Sequence, residues 1–143
     1  MKPKLCADYL KVLVVDDTEL NQHLIAAMLK KMGHQVILAN GGTEAIETVA
    51  SASPDLILLD VMMPNMDGFE VARVIRRSNA WVPIFFVSAS MSNENVVRGL
   101  HSGADDFLFK PLNYEILQSK IMAFQSRLAM SRKLAEQNTD LRN

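Results

Sequence analysis

Cysteine is nearly missing from this chain: Cys6 is the only one in 143 residues. That excludes an intrachain disulfide framework and a cysteine-built metal cluster. No apolar run reaches the length of a membrane span, and residues 1–10 lack the apolar centre of a secretion signal. A surplus of one charge is missing too, since 15 basic and 16 acidic residues leave a formal net charge of −1. Nothing here draws the chain to nucleic acid or to a membrane surface. Sequence repeats and low-complexity tracts are absent. What remains is an ordinary globular composition, 49% apolar and 22% charged, and a length that suits one domain with a real core. A reducing, cytoplasmic setting is the expectation.

Short apolar runs alternate with helical periodicity. Lys11 to Val15 is β-branched and short, which predicts a buried strand ending in Asp16-Asp17. Thr18 is a candidate cap for a helix from Glu19, with Leu20, Leu24, Ala27 and Met28 inward and Gly33 as its stop. Gln35 to Leu38 is a second strand. The turn Asn40-Gly41-Gly42 leads to a short helix over Thr43 to Ala50, with Ala45, Ile46 and Val49 inward. Pro54 introduces the central strand, Leu56 to Leu59, which ends in Asp60. Asp67 is a candidate cap for a helix through Arg77 carrying Val71, Ala72 and Ile75. Pro83 to Val87 is a fourth strand, ending at Ser88. Ser92 is placed to cap a helix with Val96, Val97 and Leu100 inward, stopped by Gly103. Phe107 to Phe109 is a fifth strand, ending at Lys110-Pro111. Asn113 is placed to cap a last helix with Ile116, Leu117, Ile121, Phe124 and Leu128 inward. That helix has no stop signal, and Ser131 to Asn143 runs on polar and charged, with Leu134 and Leu141 one heptad apart.

Strand and helix thus alternate five times, which predicts an α/β fold with a doubly wound parallel sheet and helices on both faces. Four strands end in polar or reactive groups: Asp16-Asp17, Asp60, Ser88 and Lys110. Strand order 2-1-3-4-5 would gather these ends on one edge, where such sheets bind ligands. Crowded carboxylates favour a hard divalent cation with oxygen ligands, and Mg²⁺ suits because it needs few carboxylates. A cation, a lysine and a hydroxyl together suit phosphoryl chemistry, with one carboxylate as nucleophile. Taken singly the residues allow blander roles. Asp60 could simply open a loop, Asp16 cap a helix, and Lys110 carry a solvated charge. His23, His34 and His101 have no metal-like spacing and are expected at the surface or its boundary. The methionines are expected as core filler, and Trp81 as packing.

The ordered motifs decide between these readings. Val14-Val15-Asp16-Asp17, Leu58-Leu59-Asp60-Val61-Met62-Met63-Pro64-Asn65-Met66-Asp67-Gly68, Val87-Ser88-Ala89, Gly103-Ala104-Asp105-Asp106-Phe107 and Lys110-Pro111 resemble a response-regulator receiver domain of two-component signalling. The similarity runs over roughly residues 10 to 130. It implies a flavodoxin-like five-stranded sheet with an extended C-terminal helix. It implies Asp60 as phosphoacceptor, fed by a histidine kinase or phosphotransfer protein. Asp16, Asp17 and Asp60, with the backbone carbonyl of Met62, are the implied Mg²⁺ ligands, and Lys110 the implied phosphoryl contact. Ser88 stands at the family's Ser/Thr position and Phe107 at its switch aromatic. The Lys110-Pro111 bond is implied cis. Met62 and Ser90 stand where the family's side chains flank the water that removes the phosphoryl group.

The expected function is a phosphorylation-controlled switch that changes its binding surface through Ser88 and Phe107, not an enzyme beyond slow self-dephosphorylation. A Mg²⁺-dependent aspartyl phosphohydrolase is the alternative from another class. Such enzymes carry a second acid two residues after the nucleophile, where this chain has Met62. A receiver that docks without phosphorylation is a third reading. The expected organisation is a lead-in over 1–10, a receiver over 11–130, and a helical linker or output connection over 131–143. Expected partners are the phosphodonor, a downstream output domain or effector, and a second copy paired through the last helix. Neither nucleic acid nor membrane is expected to bind this region directly.

Overall fold

The computed structural model describes residues 9–78, 81–89 and 92–142. Cys6, most of the expected lead-in and Ser90 lie outside them. In chain order the elements are β1 (Lys11–Val15), α1 (Glu19–Lys31), β2 (Gln35–Ala39), α2 (Gly42–Ala52), β3 (Leu56–Asp60), α3 (Gly68–Ser78), β4 (Ile84–Ser88), α4 (Asn93–His101), β5 (Asp106–Phe109) and α5 (Tyr114–Arg142). The chain divides into two compact units. Leu10–Leu112 holds the sheet and α1 to α4, and the other unit contains Asn113–Asn143 with α5.

All strand pairs are parallel, in the order β2-β1-β3-β4-β5, as the alternating pattern predicts. β1, β3 and β4 lie inside the sheet and are buried almost throughout, so their side chains are apolar on both faces. Leu13, Val15, Ile57, Leu59, Ile84 and Phe86 point to one side. There they join Ala45 and Val49 of α2 and Phe69, Val71, Ala72 and Ile75 of α3 in one apolar cluster. Burying each large side chain of this kind stabilises the fold by about 1.5–3 kcal/mol. By alternation Val12, Val14, Leu56, Leu58, Phe85 and Val87 face the other side, also buried.

Helix ends follow local chemistry. Asp67 Oδ1 accepts from the Glu70 N–H at 3.0 Å, Ser92 Oγ from Asn95 at 3.2 Å, and Asn113 Oδ1 from Ile116 at 3.0 Å. These three caps were legible in the sequence. Gly33 and Gly103, expected as stops, have φ of +95° and +97°. Thr18 occupies the cap position of α1 but makes no side-chain cap bond.

Several inward faces differ from expectation. α1 buries Gln22, Ile25, Ala26 and Leu29, while Leu20, Leu24 and Ala27 are exposed and Met28 is half-buried. Gln22 belongs inside because its Nε2 donates to the Asp16 carbonyl at 2.6 Å and to Asn40 Oδ1 at 2.8 Å. On α4, Val97 and Leu100 are exposed, Val96 is half-buried, and Gly99 is buried. On α5, Leu117 and Ile121 are buried, Phe124 and Leu128 half-buried, and Ile116 exposed. α5 continues unbroken to Arg142, as its lack of a stop signal implies. Leu134 is exposed, and the Leu141 side chain lies outside what is described. His34 is buried rather than superficial, its Nδ1 accepting from the Leu10 N–H at 3.0 Å. Trp81 is exposed rather than packed, and Met62, Met122 and Met130 are exposed rather than core filler.

Candidate functional site: an acidic pocket at the sheet edge

Parallel pairing carries the ends of β1, β3 and β4 to one edge. Asp16 prolongs β1, its N–H donating to the Ala39 carbonyl at 3.2 Å. Its Oδ1 accepts from the Thr18 N–H at 2.9 Å, which fixes the carboxylate above the strand. Asp60 ends β3 beside Val87, and its Oδ1 accepts from the Met62 N–H at 3.2 Å. After β5, the Lys110 N–H donates to the Ser88 carbonyl at 2.9 Å, so one backbone bond ties the ends of β4 and β5. The Lys110-Pro111 bond is cis, as expected.

Asp16, Asp17 and Asp60 bring carboxylate oxygens within 4.8 Å of one another, the one such group among the described residues. Asp16 and Asp60 are 1% and 3% exposed, and Asp17 faces solvent. Lys110 Nζ lies 3.3 Å from Asp16 Oδ2 and 3.3 Å from Asp60 Oδ2. Burial pushes the Asp60 carboxyl up; Lys110 pulls it back, and Asp16 adds to the rise, leaving it above the usual carboxylate range. For Lys110, burial opposes the charge, but Asp60 and Asp16 outweigh it and hold the ammonium above its ordinary value. One cation serves two buried carboxylates, so it gains while Asp60 still loses. Three close carboxylates, one open to solvent, have the hard oxygen donors that a divalent cation such as Mg²⁺ needs.

The remaining expected residues are placed as follows. Ser88 is buried at the end of β4. Phe107 is half-buried, 5.9 Å from the Phe86 ring centroid, and packs against the core cluster. The Met62 side chain is 69% exposed beside Asp60. Sequence reasoning missed Gln22, whose amide holds the Asp16 carbonyl and is itself held by Asn40, and Arg98. Arg98 stands 4.4 Å over the Phe69 ring and 3.7 Å from Asp67. For Gln22 a signal existed: 22, 25, 26 and 29 form a full i, i+3, i+4, i+7 set.

A family profile described as the response regulator receiver domain matches residues 12–122. The alkaline phosphatase synthesis transcriptional regulatory protein PhoP of Bacillus subtilis is 35% identical over 130 residues, covering 91% of this chain and 54% of that protein. Response regulator MprA of Mycobacterium leprae is 42% identical over 118 residues, covering 82% and 52%. This chain therefore spans about half the length of these curated relatives. Among solved structures, a two-component response regulator from Clostridium difficile superposes with a TM-score of 0.79 at 32% identity, covering 82% of this chain and 97% of that one. The chemotaxis protein CheY4 of Vibrio cholerae gives 0.76 at 33% identity, covering 79% and 96%. A five-stranded parallel sheet in the order 2-1-3-4-5 with an acidic pocket at its edge is the architecture of a signalling receiver. The chain belongs to the response regulator receiver domain family, the phosphorylation-controlled switches of two-component signalling.

Proposed function

We propose that Asp60 is the phosphoacceptor of this receiver. The carrying observation is the buried Asp60 carboxylate, held by the Met62 N–H on one oxygen and facing Lys110 on the other. An Asp60 oxygen attacks phosphorus of a phosphohistidine on a histidine kinase or phosphotransfer protein. The N–P bond breaks, an acyl phosphate forms, and the donor imidazole leaves. Lys110 stays protonated and offers its ammonium to the phosphoryl oxygens. Asp16, Asp17, Asp60 and the Met62 carbonyl would hold Mg²⁺, which when bound offsets the charge of the incoming group. The exposed side chains of Leu20 and Leu24, with a cleft lined by Leu24, Met28, Pro111 and Leu112 beside Lys110, suit an amphipathic donor helix.

Ser88 and Phe107 are the switch pair in this reading. The hydroxyl turns toward the phosphoryl group and Phe107 responds to the space it leaves. Position 62 carries no acid, which supports a switch over a phosphohydrolase. The receiver extends over 11–130, and 131–143 is the connection toward an output domain or effector, consistent with relatives about twice as long. A cytoplasmic setting accords with finding no helix among the described residues long and apolar enough to cross a membrane.

The test is labelling with a small acyl phosphate and Mg²⁺. The parent should form a hydroxylamine-labile adduct and Asp60→Asn none. Undiminished labelling of Asp60→Asn would refute the assignment.

A further inference from the structure

Helix α4 is fastened to its unit without an apolar stripe, since Val97 and Leu100 face solvent. Two neighbouring residues contribute to the attachment. Arg98 reaches the Phe69 ring and Asp67, in the segment that follows Asp60. Gly99 lies directly on aromatic rings. A Cβ built there would collide with Cζ of Phe107, stand 2.7 Å from its Cε1, and stand 3.2 Å from Cδ2 of Phe86. The rings form a row: Phe69 to Phe86 is 5.2 Å between centroids, edge to face, and Phe86 to Phe107 is 5.9 Å. Phe86 is fully buried and held between its two neighbours, so it has no room to yield. Phe107 is only half-buried and can.

We propose that Gly99 is a positioning residue: its missing side chain is the seat that admits the Phe107 ring beneath α4 and couples that ring to the helix. This rests on the reading of Phe107 as the switch aromatic. A methyl group at position 99 fills the seat. Phe107 must then swing toward solvent, or α4 must rise from the row. Either way the ring and the helix no longer move as one body, so the signal from the acidic pocket stops short of α4.

The test compares the full chain with Gly99→Ala by NMR. In Gly99→Ala the ring contacts of Phe107 with Phe86, or those of Phe107 with α4, should weaken several-fold while those between Phe69 and Phe86 persist. Unchanged contacts of Phe107 with both Phe86 and α4 would overturn the proposal. A stability cycle gives a second readout that a general packing defect would not produce. Gly99→Ala should destabilise the parent. In a Phe107→Ala background it should instead raise the folding equilibrium constant about fivefold, the helical preference for Ala over Gly. Equal destabilisation in both backgrounds would overturn the seat. Beryllofluoride with Mg²⁺, a phosphoryl mimic, separates this from the underlying reading. If the parent's Phe107 signals do not respond to it, the switch reading fails while the seat is judged by the cycle. If they respond and Gly99→Ala shows the same α4 response, the coupling fails.

Discussion

Replacing Lys110 with methionine isolates the electrostatics of the acidic pocket. Lys110→Met keeps an apolar stem of similar length and removes the ammonium, with its charge and its hydrogen bond to Asp16. Two carboxylates that are 1% and 3% exposed then lose the cation that stood 3.3 Å from each. Breaking a buried pair by removing one partner costs about 3–5 kcal/mol. Lys110 is 24% exposed, so water already screens part of its field, and about 2–4 kcal/mol is the expected loss without metal. A domain of this size has about 5–15 kcal/mol in hand, so the variant stays folded. With a urea slope of about 2 kcal/mol per M, the midpoint should fall by about 1–2 M at neutral pH. The sign with pH follows from the groups. Lys110 is held above its ordinary value, so its contribution is complete at neutral pH and fades only as alkali titrates it. Asp60 is already pushed up by burial, and losing Lys110 pushes it further. As pH falls, Asp60 takes up its proton early because burial raises it, the charge left without a partner shrinks, and parent and variant draw together. Mg²⁺ should stabilise the variant more than the parent, because no ammonium competes for the carboxylates. A midpoint shift below about 0.3 M at neutral pH, under a third of the smallest expected shift, would refute the buried-pair reasoning. So would a larger loss that Mg²⁺ does not relieve.

Other outcomes follow from single contacts. Met62→Asn replaces a weak acceptor with an amide that can orient water, and should shorten the lifetime of phosphorylated protein; a rate equal to or slower than the parent's in a dephosphorylation time course would contradict this. Arg76 joins the Gly103 carbonyl, at 2.7 Å from Nη2, to Asp105 Oδ2 at 2.8 Å and to the Val82 carbonyl. Arg76→Met should cost about 2–3 kcal/mol in urea unfolding while leaving Asp60 labelling intact, and loss of labelling at unchanged stability would reverse that assignment. Deleting residues 131–143 should weaken self-association measured by sedimentation; an unchanged molecular weight would leave the segment as a connector only.

The parallel sheet was legible because its inner strands are unmixed apolar runs alternating with helices, and the order 2-1-3-4-5 was the expectation that gathers their polar ends on one edge. Knowing that order was enough to bring Asp16, Asp60 and Lys110 together, since all three end or follow strands. Helix faces were harder. On α1 the polar Gln22 occupies a core position because its amide is satisfied from within, so the exposed set Leu20 and Leu24 looked the better stripe. On α4 a glycine and an arginine contribute to the attachment, and neither registers in an apolar count. Arg98 meets Asp67 across 31 positions of sequence, and no local pattern encodes such a contact.

The unbroken run of α5 from Tyr114 to Arg142 has a rotational consequence. A continuous α-helix turns about 100° per residue, so it conserves angular phase along its length. Adding one residue after Met130 would swing the face carried by Leu134 about a quarter-turn, whereas adding seven would return it almost to its starting azimuth. Natural variants of this segment should therefore tolerate changes of length in steps of whole turns and resist changes of one or two residues.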